Sequence, residues 1–283
     1  MIDSGPRVFF IMEIDFTKMH GNGNDFILID EYDRVAIPDE MKGQFAAIYC
    51  DRRFGIGADG VIYLSKSKES EIRMRLFQPD QSEAEMCGNG IRCLVKYAYD
   101  AGYVRESCQV ETTAGALRVL MGYRGDEFMA TITMSTPKFE RADIPATGSG
   151  EYREQIGDFD VYAVNTGVPH AVIPVASVDS IDITVAAPPI RRHPTFPNGA
   201  NVNFVEKTGE NQIRIRTFER GVEGETLSCG TGATAAAAVM NRIGLVGETV
   251  SVDTEGGPLI VYLKAGARLE GPAVTVYSGT ILF

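Results

Sequence analysis

The sequence predicts an α+β fold of two pseudo-symmetric domains that arise from an internal duplication, each a mainly antiparallel sheet wrapped around a central helix. A Cys-Gly-x-Gly motif occurs twice, beginning at Cys87 and at Cys229, 142 positions apart. At that offset identical residues align without a gap, from Glu83 with Glu225 to Val119 with Val261. A constant offset over such a length indicates a tandem of two similar units.

A strand is predicted ahead of each motif. Residues 72–77 and residues 213–218 both alternate apolar and polar side chains with a period of two. This pattern is typical of a strand with one buried face. A polar loop then leads to each cysteine.

A helix is predicted directly after each motif. In the first half, apolar residues recur at helical spacing, and Gly102 follows as a C-terminal cap; they are Ile91, Leu94, Val95 and Ala98. In the second half, a run of small residues covers 233–240 and closes near Gly244. Such a surface permits close packing, so we expect this helix to be buried between sheet elements.

The remaining divisions follow from loops and from the duplication. Residues 147–150 and 187–189 are rich in glycine or proline and predict loops. We expect one domain from residues 1–133 with 270–283 and a second from residues 134–269, with the active site in the cleft between them. Residues 1–11 are predicted to be an extension, with Met12 as the alternative start.

Composition excludes several classes of function. The formal net charge is −11 and the pI about 4.9, which opposes nucleic-acid binding. No apolar run reaches the length of a membrane span, and the first residues lack a signal-peptide pattern, so a cytoplasmic protein is predicted. Five cysteines without a disulfide framework indicate reduced thiols. No metal site is expected, since there is no CxxC pair and only three histidines occur.

The position of the two cysteines has a chemical consequence. At a helix N-terminus, free backbone N–H groups and the macrodipole favour negative charge. We therefore expect the thiol pKa of Cys87 and Cys229 to fall from about 8.5 toward neutrality. The glycines that follow let a ligand approach the backbone, and the same N–H groups can hold a carboxylate.

Two such thiols facing each other suit an epimerase. Inversion of a carbon requires that a proton be removed from one face and another be delivered to the opposite face. A pseudo-twofold axis would place Cys87 and Cys229 across the cleft from each other, one as thiolate and one as thiol. Such a reaction needs no cofactor, but it requires strong charge stabilisation in a site with little water.

Three segments resemble the diaminopimelate epimerase family. They are residues 18–26, with His-Gly-Asn-Gly-Asn-Asp-Phe, residues 84–93 around the first motif, and residues 219–232 around the second. The matches run in order from about residue 16 to residue 238. The resemblance implies interconversion of LL- and meso-diaminopimelate without pyridoxal phosphate or metal, in lysine and peptidoglycan-precursor synthesis.

The resemblance also implies roles for particular residues. Cys87 and Cys229 match the two catalytic cysteines, and His170 matches a histidine that supports the reacting centre. The remaining matches are expected to bind substrate: Asn24, Gln78, Gly88, Asn89, Asn201, Glu219, Arg220, Gly230 and Thr231. Among these, Glu219 and Arg220 match the pair that holds the amino and carboxylate groups, and the glycine-led helix starts match the amides that grip the α-carboxylate.

Three positions depart from the family pattern. Gln78 stands where asparagine is common, which keeps the amide on a longer side chain. Gln81 replaces a turn glycine, so we expect that loop to adopt another backbone conformation. Val168 replaces an asparagine before Pro169-His170, so one contact to the distal group of the substrate is expected to be absent or supplied elsewhere.

Three alternatives stay open at this stage. One is a related epimerase acting on proline, hydroxyproline or another amino acid. The second is a thiol hydrolase or transferase with one nucleophilic cysteine, which would leave the duplication unexplained. The third is an amino-acid-binding protein without catalysis, which would not need both cysteines. The sequence leaves the oligomeric state open, with a homodimer as one option, and does not say which cysteine acts on which stereoisomer.

Overall fold

The computed structural model of the protein describes residues 12–283. The predicted extension at residues 1–11 lies outside the described residues. None of the helices in residues 12–283 is long and apolar enough to cross a membrane.

The first half of the chain builds a sheet around one helix and places a second helix outside it. Its elements are β1 (Glu13–Gly21), β2 (Asn24–Glu31), α1 (Lys42–Tyr49), β3 (Gly60–Lys66), β4 (Ile72–Phe77), β5 (Glu83–Ala84), α2 (Gly88–Asp100), β6 (Ser107–Thr112), β7 (Gly115–Arg124) and β8 (Glu127–Thr133). The strand predicted at residues 72–77 is thus confirmed as β4. The helix predicted after Cys87 is confirmed as α2, and Gly102 follows it with φ +79°.

The second half repeats this order after one additional strand, β9 (Arg153–Ile156). Its elements are β10 (Phe159–Asn165), β11 (Pro169–Val175), α3 (Ile183–Arg191), β12 (Asn201–Gly209), β13 (Gln212–Glu219), β14 (Gly224–Thr226), α4 (Gly230–Arg242), β15 (Thr249–Thr254), β16 (Gly257–Tyr262) and β17 (Arg268–Pro272). The chain then returns to the first half as β18 (Val274–Leu282), which pairs antiparallel with β1. The repeated order confirms the predicted duplication.

Strand pairing is mainly antiparallel and repeats in both halves. The parallel pairs β2–β3 and β4–β6 recur as β11–β12 and β13–β15. In β4, Ile72 lies opposite Val110, and in β13 the equivalent Ile213 lies opposite Val252. The two sheets join where β17 pairs antiparallel with β8. The predicted α+β class is therefore confirmed.

The second half contains one more residue than the first between its strand and its motif cysteine. Equivalent strand residues such as Ile72 and Ile213 are 141 positions apart, whereas the motif cysteines are 142 apart. The additional residue lies in the connection between β13 and β14, because six residues separate the paired Phe218 and Glu225, whereas five separate the equivalent Phe77 and Glu83. These two connections flank the predicted active site.

The two central helices share one hydrophobic core. Ile91, Leu94 and Val95 of α2 are fully buried, and so are the alanines of α4. Burial of α4 between sheet elements is confirmed. Helices α1 and α3 lie outside this shared core, and each packs in a separate apolar cluster.

The prediction of a loop at residues 187–189 was wrong, because Pro188 and Pro189 lie inside α3. Ile183, Ala187 and Ile190 recur at helical spacing and are buried, so the helix gains a packed apolar face. Because proline has no backbone N–H, Pro188 and Pro189 cannot donate to the carbonyls of residues 184 and 185. Both of those residues are exposed, so water can hydrogen-bond to their carbonyls instead. Packing therefore outweighs the local cost of proline.

Candidate active site

Both motif cysteines line one cleft of about 580 Å³ between the two halves. The other predicted site residues that line it are Asn24, Gln78, Gly88, Asn89, Glu219, Gly230 and Thr231. Two other surface concavities, of about 690 and 590 Å³, lie along β1 and β18 and along β7 and β17, away from both motifs. The cleft thus brings together most of the residues that the sequence singled out.

Each cysteine is the N-cap of its helix. Cys87 has φ −144° and ψ 114°, and Cys229 has φ −125° and ψ 108°, so both have the extended backbone usual at this position. Backbone N–H groups of the first helical turn act to lower the thiol pKa, those of Asn89 and Gly90 at Cys87 and that of Gly232 at Cys229, although neither side chain makes a capping hydrogen bond. The two thiols therefore occupy equivalent positions, as the duplication predicts.

The expected lowering of both thiol pKa values was wrong for the substrate-free protein. Burial raises the pKa of the Cys87 thiol, against the opposing effect of the helix-start N–H groups. Burial together with the carboxylate of Glu219 raises the pKa of Cys229 to about 12. The helix-start effect is present, but desolvation of a thiolate in this cleft outweighs it.

Asn24 lies beside Cys87, and hydrogen bonds on both sides of its amide fix its orientation. Its Oδ1 accepts from Cys87 Sγ at 3.6 Å and from Asn89 Nδ2 at 3.1 Å. Its Nδ2 donates to Asp59 Oδ2 at 2.6 Å, and Asp59 in turn accepts from Arg52 at 2.8 Å. Because the amide nitrogen is held by a carboxylate, the amide oxygen faces the thiol.

The surroundings of Cys229 are different. Its Sγ lies 3.4 Å from Thr231 Oγ1. Beneath the helix start, a β-carbon added at Gly232 would lie 2.6 Å from Asn203 Oδ1 and 3.3 Å from Thr217 Oγ1. At the equivalent Gly90, the nearest atom to an added β-carbon would be Ile62 Cδ1, at 3.3 Å. The floor under Cys229 is therefore polar, whereas the floor under Cys87 is apolar.

His170 is part of this polar floor and is fully buried. Its Nδ1 lies 3.1 Å from Asn203 Nδ2, whose orientation is set by bonds to Ala171 O and Thr217 Oγ1. Nδ1 is therefore the acceptor, which assigns the proton of the neutral ring to Nε2. Burial, aided by the charge of Arg220, lowers the pKa of His170 to about 3. The ring is thus a neutral group behind the cleft rather than a side chain exposed in it.

Glu219 and Arg220 differ in exposure to the cleft. Glu219 lines it, accepts from Thr226 Oγ1 at 3.1 Å, and has its pKa raised by burial. Arg220 is half-buried and donates from Nη1 to Asn198 O at 3.1 Å and to Gly199 O at 3.2 Å. Its backbone N–H donates to Asn201 Oδ1 at 2.7 Å. Asn201 thus fixes the backbone of the Glu219–Arg220 pair and does not itself line the cleft.

The loop with the departures from the family pattern has an ordered turn. Gln81 takes the glycine-like conformation, with φ +73°, so the expectation of another backbone conformation was wrong. Its N–H donates to Gln78 O at 2.9 Å, and Ser82 Oγ donates to Gln78 Oε1 at 3.0 Å. Val168, the third departure, is half-buried in the β10–β11 turn.

Buried polar atoms without a hydrogen-bond partner concentrate at this junction. In residues 12–283 they are Ser70 Oγ, Asn89 Oδ1, Arg92 Nη1 and Ser228 Oγ. Three of the four belong to the two motif segments. Since buried polar groups normally have partners, these atoms indicate a place for polar groups of a ligand or for bound water.

Sequence reasoning missed the residues that support the motifs. No role was predicted for Asp59, Asn203 or Thr217. The alternation of Asn201 and Asn203 in β12 is a usable signal, since polar residues at that spacing share one face of a strand. Among the described residues, no three His, Cys, Asp or Glu side chains come together as a metal site would require.

Comparison with known proteins gives a consistent family. The sequence profile described as "Diaminopimelate epimerase" matches residues 16–139 and 162–281. A diaminopimelate epimerase of Methanothrix thermoacetophila is 55% identical over 271 residues, which cover 95% of this chain and 96% of the relative. That of Methanocella arvoryzae is 50% identical, with 95% and 97% covered.

Solved structures of lower identity share the fold. A PhzF-family phenazine biosynthesis protein of Bacillus anthracis aligns with a TM-score of 0.72 at 18% identity, covering 96% of this chain and 99% of that one. A hydroxyproline epimerase of Agrobacterium vitis aligns with a TM-score of 0.63 at 16% identity, covering 96% and 93%. At such identities these matches show the fold alone.

Proposed function

The chain belongs to the diaminopimelate epimerase family, and we propose that Cys87 and Cys229 perform the reaction of that family in the cleft between its halves. The protein is an isomerase that interconverts LL- and meso-2,6-diaminopimelate in lysine biosynthesis. One observation carries the assignment of residues: two equivalent N-cap cysteines line the same cleft as the buried carboxylate of Glu219.

The reaction follows from two thiols in opposite protonation states. One thiolate takes the α-proton, so that the C–H bond breaks and its electron pair stays on the α-carbon, delocalised into the carboxylate. The other thiol donates its proton to the opposite face of that carbon. The α-carbon is inverted and the two sulfurs have exchanged protonation states, so no proton is gained or lost.

The helix starts are suited to the charge that develops. The first residues of α2 and α4 line the cleft, and we propose that the backbone N–H groups of Gly88, Asn89, Gly230 and Thr231 hold the α-carboxylate. We further propose that Glu219 holds the α-ammonium group and Arg220 a carboxylate, with Asn201 positioning this pair through its bond to the Arg220 N–H.

We propose that residues of the first half bind the distal end of the substrate. Asn24 and Gln78 line the cleft there, and we propose that their amides bind the distal amino-acid group. His170 supports the floor beneath Cys229 as a neutral ring. Where the family has an additional asparagine, Val168 offers no side-chain hydrogen bond, so that contact falls to other groups.

An assay of substrate choice tests the function directly. Reduced protein without added pyridoxal phosphate or metal should epimerise LL-diaminopimelate and leave L-proline and trans-4-hydroxy-L-proline unchanged. Activity on proline or hydroxyproline alone would overturn the assignment.

The domain division remains a proposal: residues 1–133 with 270–283, and residues 134–269. The return of β18 to β1 supports it. The second boundary falls inside β17, which pairs with both β16 and β8. Limited proteolysis should cut first near residue 134, and a first cut within either domain would oppose this division.

Assembly and location are also proposed. We propose a homodimer, since β18 pairs with β1 alone among the described strands and exposes Val276, Tyr277 and Leu282; a monomeric mass across concentrations by light scattering would oppose it. We propose a cytoplasmic location, because five unpaired cysteines suit a reducing compartment. Recovery from a secreted fraction would contradict that. The acidic net charge supports neither a nucleic-acid nor a membrane partner.

A further inference from the structure

Arg92 is a fully buried cation without an acidic partner among the described residues. Its Nε donates to Pro272 O at 3.0 Å and its Nη2 to Asn22 Oδ1 at 2.8 Å, while Nη1 has no partner. Both acceptors are neutral. Burial lowers the pKa of Arg92 to about 10, so the group remains charged at neutral pH. An unpaired buried charge is costly, and away from water it acts strongly on nearby ionisable groups.

The guanidinium lies beside the first turn of α2. A β-carbon added at Gly21 would be 3.0 Å from Arg92 Nη2 and 3.2 Å from Asn89 O, so these two atoms lie close to one point. The charge of Arg92 acts to lower the pKa of two thiols, those of Cys93 and Cys87. Cys93 is fully buried in the core, which leaves Cys87 as the thiol that can meet a substrate.

The second half has no such cation at the equivalent place. Thr234 occupies the position of Arg92, and its hydroxyl donates to Gly230 O at 2.9 Å. At a different position this half adds a carboxylate to the cleft, because Glu219 is the strand-register equivalent of the neutral Gln78. The two pseudo-symmetric sites therefore differ in charge: a cation beside Cys87 and an anion beside Cys229.

We propose that Arg92 is a positioning residue that makes Cys87 the more readily ionised of the two thiols, so that Cys87 carries the charge in the thiolate–thiol pair. The inference rests on the proposed two-thiol function and goes beyond it by naming which sulfur begins as the base. Each turnover exchanges the protonation states, and Arg92 then favours return of the charge to Cys87. The stereoisomer that presents its α-hydrogen to Cys87 thus reacts with the resting form directly.

The other groups facing the thiols do not reverse this bias. Lys18, Arg52, Asp25 and Asp59 form a bonded quartet whose charges cancel. Glu225 also lines the cleft but is paired with Arg216. The carboxylate of Glu219 opposes ionisation at both sulfurs; at Cys229 it is the main effect after burial, whereas at Cys87 the helix-start N–H groups and Arg92 have larger effects.

Two dipoles act in the opposite direction. Asn24 Oδ1 accepts from the Cys87 thiol, which favours its protonated form, and the Thr231 hydroxyl can donate to a Cys229 thiolate. Both contacts to sulfur are long, at 3.6 and 3.4 Å. A full charge in a water-poor site has a larger effect on ionisation than a neutral dipole at these distances.

Alkylation mapped to single cysteines tests the proposal without using turnover. The full-length reduced protein, without substrate, is treated with limiting iodoacetamide from pH 6 to 10, and labelling of Cys87 and Cys229 is followed by peptide mass spectrometry. Because only thiolate reacts, the midpoint of each rate–pH curve reports ionisation independently of accessibility. We expect the Cys87 curve to reach its midpoint at least about one pH unit below that of Cys229, whose curve should still be rising at pH 10.

Substitution of Arg92 should remove this difference. In Arg92→Met, labelling of Cys87 at neutral pH should fall about tenfold, with little change at Cys229, whereas Arg92→Lys should retain most of the wild-type curve. Lys96→Met is the matched control, since Lys96 is a cation of the same helix already paired with Asp100. It should leave the Cys87 curve unchanged.

The outcomes separate the inference from the function on which it rests. A lower midpoint at Cys229 in the wild type, or an unshifted Cys87 curve in folded Arg92→Met, would overturn the role of Arg92. If Arg92→Met does not fold, the order of the two wild-type midpoints still decides. Loss of the two-thiol function would appear instead as full epimerase activity in a single-cysteine variant.

Discussion

Asn24 donates from Nδ2 to Asp59 Oδ2 at 2.6 Å, and this bond turns its Oδ1 toward the thiol of Cys87. The carboxylate that fixes the amide is itself bound by Arg52, and both side chains also line the cleft. A residue predicted to bind substrate is therefore held in its orientation by neighbouring charged groups.

Replacing that carboxylate should reduce activity through Asn24. In Asp59→Asn the new amide no longer offers two acceptor oxygens, so Asn24 loses its fixed orientation. We expect kcat/KM for LL-diaminopimelate to fall about tenfold, with a smaller effect than Asn24→Ala. Asp33→Asn, at an exposed ion pair with Lys66, is the control and should be unaffected. Wild-type kinetics in Asp59→Asn would show that the orientation is set elsewhere.

The buried neutral His170 should make stability depend on pH. Its pKa is about 3 in the fold and about 6.5 in an unfolded chain, so between these values the unfolded chain binds more protons. The stability it allows is therefore fully present above about pH 6.5 and is lost as pH falls toward 3. The free energy of unfolding of His170→Asn, measured in urea from pH 7 to 4, should fall less steeply than that of the wild type.

Asp25 also makes stability depend on pH in acid, because Arg52 and Lys18 overcome the effect of burial and lower its pKa to about 2. The comparison must therefore be a difference between variants. His193→Asn, at a half-buried histidine in the segment after α3, provides the control. Parallel pH curves for the wild type and His170→Asn would contradict a neutral buried ring.

The turn at Gln81 should be a site of stored strain. A left-handed φ of +73° costs a residue with a β-carbon about 1–2 kcal/mol, and glycine avoids most of that. Gln81→Gly should raise the free energy of unfolding by up to about 1 kcal/mol, whereas Gln81→Ala, which keeps the β-carbon, should not. Chemical denaturation of the three proteins measures this. Destabilisation by glycine would mean that side-chain contacts of Gln81 outweigh the strain.

Elements with a strong local pattern could be predicted from the sequence. The alternation at residues 72–77 and the helical spacing from Ile91 to Ala98 depend on neighbours in the chain, and both elements were placed closely. Helix α3 was missed because its stability comes from burial of Ile183, Ala187 and Ile190 against other elements, which outweighs two prolines. Local helix propensity does not include the free energy gained by burying these side chains.

The cysteines show the same limit within the site. Their positions follow from the motif, and the helix-start effect is local, so it could be predicted. Their pKa values depend on burial in the assembled cleft and on Glu219, which is brought there by a different strand. The polar floor of His170, Asn203 and Thr217 joins three strands, and no local pattern links these residues.

The most direct test of the account is epimerisation of LL-diaminopimelate in deuterated solvent by the wild type, Cys87→Ala and Cys229→Ala, without added cofactor. Each single substitution should lower the epimerisation rate by about a hundredfold or more, with circular dichroism unchanged. Cys108→Ala, at a buried packing thiol, should retain the wild-type rate. An undiminished rate of epimerisation in either Cys87→Ala or Cys229→Ala would contradict the two-thiol mechanism.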